Sequence, residues 1–297
     1  MSDIIIDQEH LYENEIIECD SFVIEPKTRL LVKGSLTIHC GKKFVMMNES
    51  CIQGLPTQAS PALTECSPAQ RNAKGFSRAQ GGNGGECNKD GQTGGKGIPG
   101  IFGGKGGFAG SSITIVANQV VFGMHSIIEM CGENGGDGVR TIQFGSGGGG
   151  GGGGGSISIE GWFFDGSQGT LIANGGNGGI GGRGEKNGEN GCGGNGGDIR
   201  VSLASTRTFP RCISKGGSGR IDGQSGHITI HHIPDAYREL STNKNISVIW
   251  TSPDTLLCMV RKNDAYVAKR HLKNVLHTDS DAVIEQKLLS HLAEGES

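Results

Sequence analysis

Several things are scarce in this sequence of 297 residues. No apolar run approaches the roughly 18–20 residues that a membrane-spanning helix needs. The longest, such as Ile4–Ile6 and Val120–Phe122, have the length of strands. Neither sign of charge dominates: 27 Lys and Arg face 30 Asp and Glu, a formal net charge of −3. That leaves no basic field for nucleic acid and no polybasic run for anionic lipid. The nine cysteines are odd in number and contain no CxxC pair. A zinc knuckle or a disulfide framework is therefore not expected, and the thiols read as reduced, several as small core residues. Met1 to Glu9 has neither a basic n-region nor an apolar core, so no cleaved signal peptide is expected. Synthesis in a cytoplasm follows, with assembly into a virion or secretion into a host cell as the onward routes. Proline is rare where glycine is dense. Only Pro99 and Pro210 fall between Gly81 and Gly226, which excludes a collagen helix.

What is abundant is glycine. Of 55 glycines, 50 lie between Gly81 and Gly226. Three similar segments stand among them. Ser112-Ile113-Thr114-Ile115 precedes Val120–Phe122 and Ile127-Ile128, and Ser156-Ile157-Ser158-Ile159 precedes Trp162–Phe164 and Leu171-Ile172. Asp198-Ile199-Arg200-Val201 precedes Cys212-Ile213. Ile113 to Ile157 and Ile128 to Ile172 are both offsets of 44, and Ile157 to Ile199 is 42. Gly226–Ile230 begins a further copy, and Ser35–Ile38 with Phe44–Met46 and Cys51-Ile52 is an upstream one. In this alignment Cys51, Ile127, Leu171 and Cys212 share one core position. Units this thin cannot bury an apolar face alone, so stacking into a β-solenoid is expected.

The tracts between the strands carry glycine at every third position, as in Gly94, Gly97, Gly100, Gly103 and Gly106. A period of three suits a left-handed helix of the polyproline-II type, which has no internal hydrogen bonds and must pair with neighbours. Each tract has a midpoint with less glycine: Glu86–Thr93, Val139–Phe144 and Glu185–Asn187. Hairpins of roughly 30 Å are expected, with these midpoints as tips gathered at one end.

Motifs for chemistry are largely missing. Gly95-Lys96 and Gly104-Lys105 are each followed by Gly, so no Walker hydroxyl is in place. The nearest calcium nonapeptide, Gly193–Val201, carries Arg200 where an apolar residue belongs. Asp165, Asp198 and Asp222 share no repeat position, so a pair of catalytic carboxylates is not expected. No catalytic residue, metal or cofactor is assigned. The alternation of His227, Thr229 and His231 is the one weak metal motif. Apolar residues at turns carry more signal: Phe102 and Phe108 in one tract, and Val139, Arg140, Ile142 and Phe144 at the tip of the next, form a candidate recognition patch.

The tracts GGNGG, GGKGG and GGNGGIGGRG and the run Gly147–Gly155 resemble polyglycine-II bundles. Such bundles occur in glycine-rich phage tail-fibre adhesins, in springtail antifreeze proteins and in the N-terminal domain of Obg GTPases. The resemblance covers about half the chain, Gly81 to Gly226. It implies recognition of a cell-surface protein or glycan receptor through loops at the bundle tips.

The expected organisation is mainly β: N-terminal solenoid turns and a loop over 1–80, solenoid repeats with polyglycine-II hairpins over 81–233, and a small α+β C-terminal cap over 234–297. In the last segment Ile246–Trp250 and Leu256–Val260 read as strands around a Thr-Ser-Pro-Asp turn. Helices are expected from Asp264 to about His277 and from Asp279 or Ser280 onward. These helices are the candidate docking element for a partner. The residues Leu292–Ser297 resemble the translocation signals of type IV secreted effectors. The expected function is non-enzymatic recognition. The alternatives are a secreted bacterial effector or structural component acting in a host, and a β-helix enzyme acting on polysaccharide.

Overall fold

A computed structural model describes residues 2–58, 66–72, 75–98, 100–166, 168–232, 237–252, 255–262, 265–275 and 279–294. The chain opens as a parallel coil. β1 (Ile4–Ile6) pairs with the end of β2 (His10–Ile24), and β2 pairs along its length with β3 (Arg29–Met46). The first part of β3 then pairs with β4 (Cys51–Leu55). A small hairpin of β5 (Gln70–Asn72) and β6 (Gly75–Ser77) lies in the excursion that follows. Later rungs contribute a long strand and, in all but the last, a short one. The long strands are β7 (Ser112–Phe122), β9 (Ser156–Asp165), β11 (Asp198–Thr208) and β13 (Ile228–His232). The short ones are β8 (Ile127–Glu129), β10 (Thr170–Ile172) and β12 (Arg211–Ile213). Long strands stack on the second half of β3 and short strands on β4, all in parallel. Segments 1–80 and 81–233 thus share one continuous sheet and one core.

Alternation builds that core. Leu36, Ile113, Ile157 and Ile199 are register partners, as are Ile38, Ile115, Ile159 and Val201, and all are buried. Each side chain so buried stabilises the stack by about 1.5–3 kcal/mol. Phe22 and Phe44 stack with ring centroids 5.7 Å apart. Where the long strand bends, the inward residues are small: Cys40, Ala117 and Gly161 are partners, and the register shifts just beyond Cys40. Cys19 and Cys40 meet there as free thiols, Sγ to Sγ 3.6 Å.

In the short stack the register corrects the sequence alignment. Ile128 pairs with Leu171, an offset of 43, so the buried column is Ile52, Ile128, Leu171 and then the half-buried Cys212. Cys51 pairs with Ile127 on the opposite face. In a strand a slip of one residue exchanges the faces. Adjacent apolar pairs such as Leu171-Ile172 give alternation nothing with which to choose between them.

The C-terminal segment is an antiparallel sheet of β14 (Tyr237–Glu239), β15 (Ile246–Ser252), β16 (Thr255–Lys262) and β17 (Ala265–Lys273), followed by α1 (Asp281–Glu294). The helix expected from Asp264 is instead strand β17. Its Leu272 pairs with Leu256 of β16, both buried, and that cross-strand partner outweighs the local helical spacing. The second helix forms as expected: the Ser280 hydroxyl accepts the Val283 N–H at 3.4 Å, and Ile284 and Leu288 are buried. Asp264, Leu276, His277, Pro253, Asp254, the side chain of Leu292 and residues 295–297 lie outside the described residues. Phe163 of β9 packs against this segment's core. Among the described residues no helix is long and apolar enough to cross a membrane.

Candidate functional site

Every glycine-rich excursion leaves after a short strand and returns before the next long strand: 56–111, 130–155, 173–197 and 214–227. The solenoid therefore issues them from the same corner of successive rungs, side by side. At their centre runs Gly147–Gly155. Each of these nine residues donates one backbone hydrogen bond and accepts another. Neighbours recur every third residue. Gly148, Gly151 and Gly154 donate to Glu189, Cys192 and Asn195; Gly149, Gly152 and Gly155 donate to Gly136, Glu133 and Met130; Gly147, Gly150 and Gly153 donate to Gly95, Gln92 and Lys89. Their carbonyls accept from three more tracts, among them the N–H groups of Gly104, Gly85 and Gly179. Six strands of chain surround one. A Cβ on any of the nine would fall 1.7–2.4 Å from a backbone oxygen, which is why the run admits no side chain.

At the array's edge, unmet amides are closed by side chains. Asn134 Oδ1 accepts the Asn177 N–H at 2.7 Å, and Asn177 Oδ1 accepts the Ser218 N–H at 2.8 Å. Asp137, Asn174 and Asn195 do the same for Ile180, Lys215 and Gln224. The sequence places Asn and Asp at the non-glycine positions, and the structure supplies the reason: they replace the hydrogen bonds a further tract would make.

The first excursion departs from the expected hairpin. It places three glycine legs around the centre, and Glu86–Asp90 turns beside the solenoid, where the Asn88 N–H donates to Gly154 O and Ser112 Oγ donates to Asn88 Oδ1. At its far end the Gly97 N–H donates to Ile101 O at 2.8 Å and the Gly100 N–H to Gly97 O at 2.7 Å, with Gly100 at φ 71°. Three of the six places around the central run are filled by this one excursion, which reverses three times, at the β5–β6 hairpin, at Glu86–Asp90 and beyond Gly97, where a hairpin reverses once. Val139–Phe144 and Glu185–Asn187 are distal tips, as expected. The three distal turns are sewn together: Ile98 N–H donates to Phe144 O at 3.0 Å, Thr141 N–H to Arg183 O at 2.9 Å and Lys186 N–H to Gln143 O at 3.1 Å.

The candidate patch divides on this framework. Val139, Arg140 and Ile142 are exposed at the tip, Ile142 to 87%. Phe144 is buried with Ala69, Ala79 and Ile98, so it anchors the tip from beneath and presents no surface. Phe102 is 72% exposed below the Lys96 ammonium, 4.9 Å from the ring centroid. Phe108 lies towards the solenoid, its carbonyl accepting the Glu133 N–H and its ring 3.8 Å from Lys105 Nζ. Around Arg140 and Ile142 opens a depression of about 810 Å³ that Ile101, Arg183, Glu185 and Asn187 also line. Of these, Arg183 was not singled out in the sequence, and Glu185 and Asn187 were expected only as the ends of a tip. Only the contacts between excursions bring them to one place.

Burial pushes the Cys87 thiol up to about 11 and Cys131 up to about 12, which leaves both protonated at neutral pH. His227 Nδ1 lies 3.3 Å from Asp198 Oδ1 in an exposed pair, and the side chain of His231 is outside the described residues. Among the described residues no group of three or more His, Cys, Asp and Glu is disposed to hold a metal ion. No family model, curated protein or solved structure matches the chain.

Proposed function

We propose that this chain is a non-enzymatic recognition protein of the adhesin type. In this reading the cross-tied tracts are a polyglycine-II lattice grown from the solenoid, and the lattice holds loop tips towards a cell-surface protein or glycan. One observation carries the reading: turns from three excursions, far apart in sequence, meet at one end around an open depression with Ile142 almost fully exposed. An apolar side chain held in water by a stiff framework marks a contact surface. The framework matters energetically, because tips already ordered lose little entropy on binding. The threefold recurrence of hydrogen-bond neighbours supports the lattice.

The test is binding of labelled protein to intact cells and to glycan arrays, with an Arg140→Ser, Ile142→Ser double variant beside it. The variant is expected to lose at least about tenfold in affinity with its melting temperature unchanged. Full binding by the variant overturns the tip assignment. Release of reducing ends from a polysaccharide by the purified protein would replace recognition with enzymatic cleavage.

A further inference from the structure

A second depression, of about 460 Å³, adjoins the first and shares Arg183 and Asn187 with it. Together the two are lined by four arginines, Arg78, Arg140, Arg183 and Arg220, against two carboxylates, Glu185 and Glu189. Arg220 is tied to Glu189 at 3.0 Å. Arg78, Arg140 and Arg183 are exposed and have no ion-pair partner among the described residues. This local excess of positive charge sits on a chain whose net charge is −3.

Two of the neutral polar side chains are donors too. Asn187 Oδ1 is occupied by the Gly184 N–H and Asn190 Oδ1 by the Gly181 N–H, so each side chain has its NH₂ left to offer. Thr141, on the wall of the larger depression, is 8% exposed, and its hydroxyl oxygen is buried without a hydrogen-bond partner. The apolar part of both walls is aliphatic: Ile101 and Ile142 in one, Ile180 in the other.

A surface rich in donors and poor in acceptors is complementary to a ligand rich in anionic oxygen. Two depressions in series suit a chain of such groups better than a single one. Aliphatic walls suit the C–H faces of sugars, whereas single-stranded nucleic acid is held by stacking on aromatic rings. We infer that the distal end binds an acidic polysaccharide, with arginine forks on its carboxylate or sulfate groups and its sugar faces on the isoleucines. This rests on the tip-recognition reading and names the ligand class for that same surface.

Isothermal titration at low salt tests it with four probes: polygalacturonate, heparin, neutral dextran and a single-stranded oligonucleotide. The full chain is compared with an Arg140→Ala, Arg183→Ala double variant, with Arg183→Lys, and with Arg200→Ala on the exposed face of β11 as a control for bulk charge. One or both acidic polysaccharides are expected to bind, and dextran to bind at least about tenfold more weakly. The double variant should lose at least about tenfold. Arg183→Lys should lose severalfold, because an ammonium keeps the charge without the fork. Arg200→Ala should stay within about twofold. Dextran binding as tightly as the acidic polymers, unchanged binding by the double variant, or an oligonucleotide bound more tightly than either polysaccharide each overturns the inference. So does a failure to bind either acidic polymer. Cell binding separates the two levels. If Arg140→Ser, Ile142→Ser removes it while the arginine variants leave acidic polymers untouched, the tip reading stands and the acidic ligand falls. If neither tip variant alters cell binding, the underlying reading fails.

Discussion

The solenoid and the glycine array exclude water by opposite means. In the solenoid, columns such as Ile38, Ile115, Ile159 and Val201 fill the interior with side chains. In the array, Gly147–Gly155 fill it with backbone alone, every peptide group paired. The first core derives its stability from apolar area and tolerates changes of shape. The second depends on the closeness of chains and on hydrogen bonds left intact, so a single methyl group is an intrusion.

The sharpest way to break this contrast is one methyl group in each region. Gly151→Ala puts a Cβ 2.0 Å from the Gly176 oxygen. Overpacking of about 1–3 kcal/mol, together with about 1 kcal/mol for each hydrogen bond lost, leads to an expected destabilisation of at least ~3 kcal/mol in chemical unfolding. Ile159→Val, which removes one methylene from the solenoid core, should cost about 0.5–1.5 kcal/mol. Equal costs would sink the distinction. Amide exchange reports on the same contrast: slow exchange is expected over residues 132–155 and 175–197, and fast exchange there would mean the tracts are not cross-tied.

Next in size is the array's edge. Asn177→Ala removes the acceptor for the Ser218 N–H and hydroxyl, at 2.8 and 3.0 Å. Since the site is exposed and water can replace the acceptor, a loss of about 1 kcal/mol is expected, while Asn177→Asp should retain most of the stability.

The smallest effect is that of pH. Cys131, at the root of the second excursion, has its thiol raised from 9.0 to about 12 by burial. The folded state thus holds this proton more tightly than the unfolded chain does. Its contribution is fully present below pH 9 and is lost as pH rises towards 12. At pH 10 the loss should be no more than about 1.4 kcal/mol, and Cys131→Ala should flatten the alkaline limb of the stability profile.

Much of the solenoid was legible because Ile113-Thr114-Ile115 and its counterparts alternate in phase, and a period of two names the buried face directly. The short strands were not legible to the residue, since Ile127-Ile128 and Leu171-Ile172 offer two apolar side chains in a row. At the candidate site, Arg140 and Ile142 stood out as polar and apolar residues interrupting glycine. Phe144 looked the same and proved to be buried, because Ala69 and Ala79 reach it from another part of the chain.

The pattern of residues along the chain determined that there would be rungs, that glycine tracts would recur between them, and that those tracts could not be a collagen helix. Alternation and a spacing of three are local properties, expressed by each segment on its own. Only the tertiary structure decided which tract lies against which, that one run sits among six, that Glu86–Asp90 turns at the base, and that Arg183 stands beside Arg140. Tracts of nearly identical composition are interchangeable until their amides and carbonyls are matched, and that matching is made between segments distant in sequence.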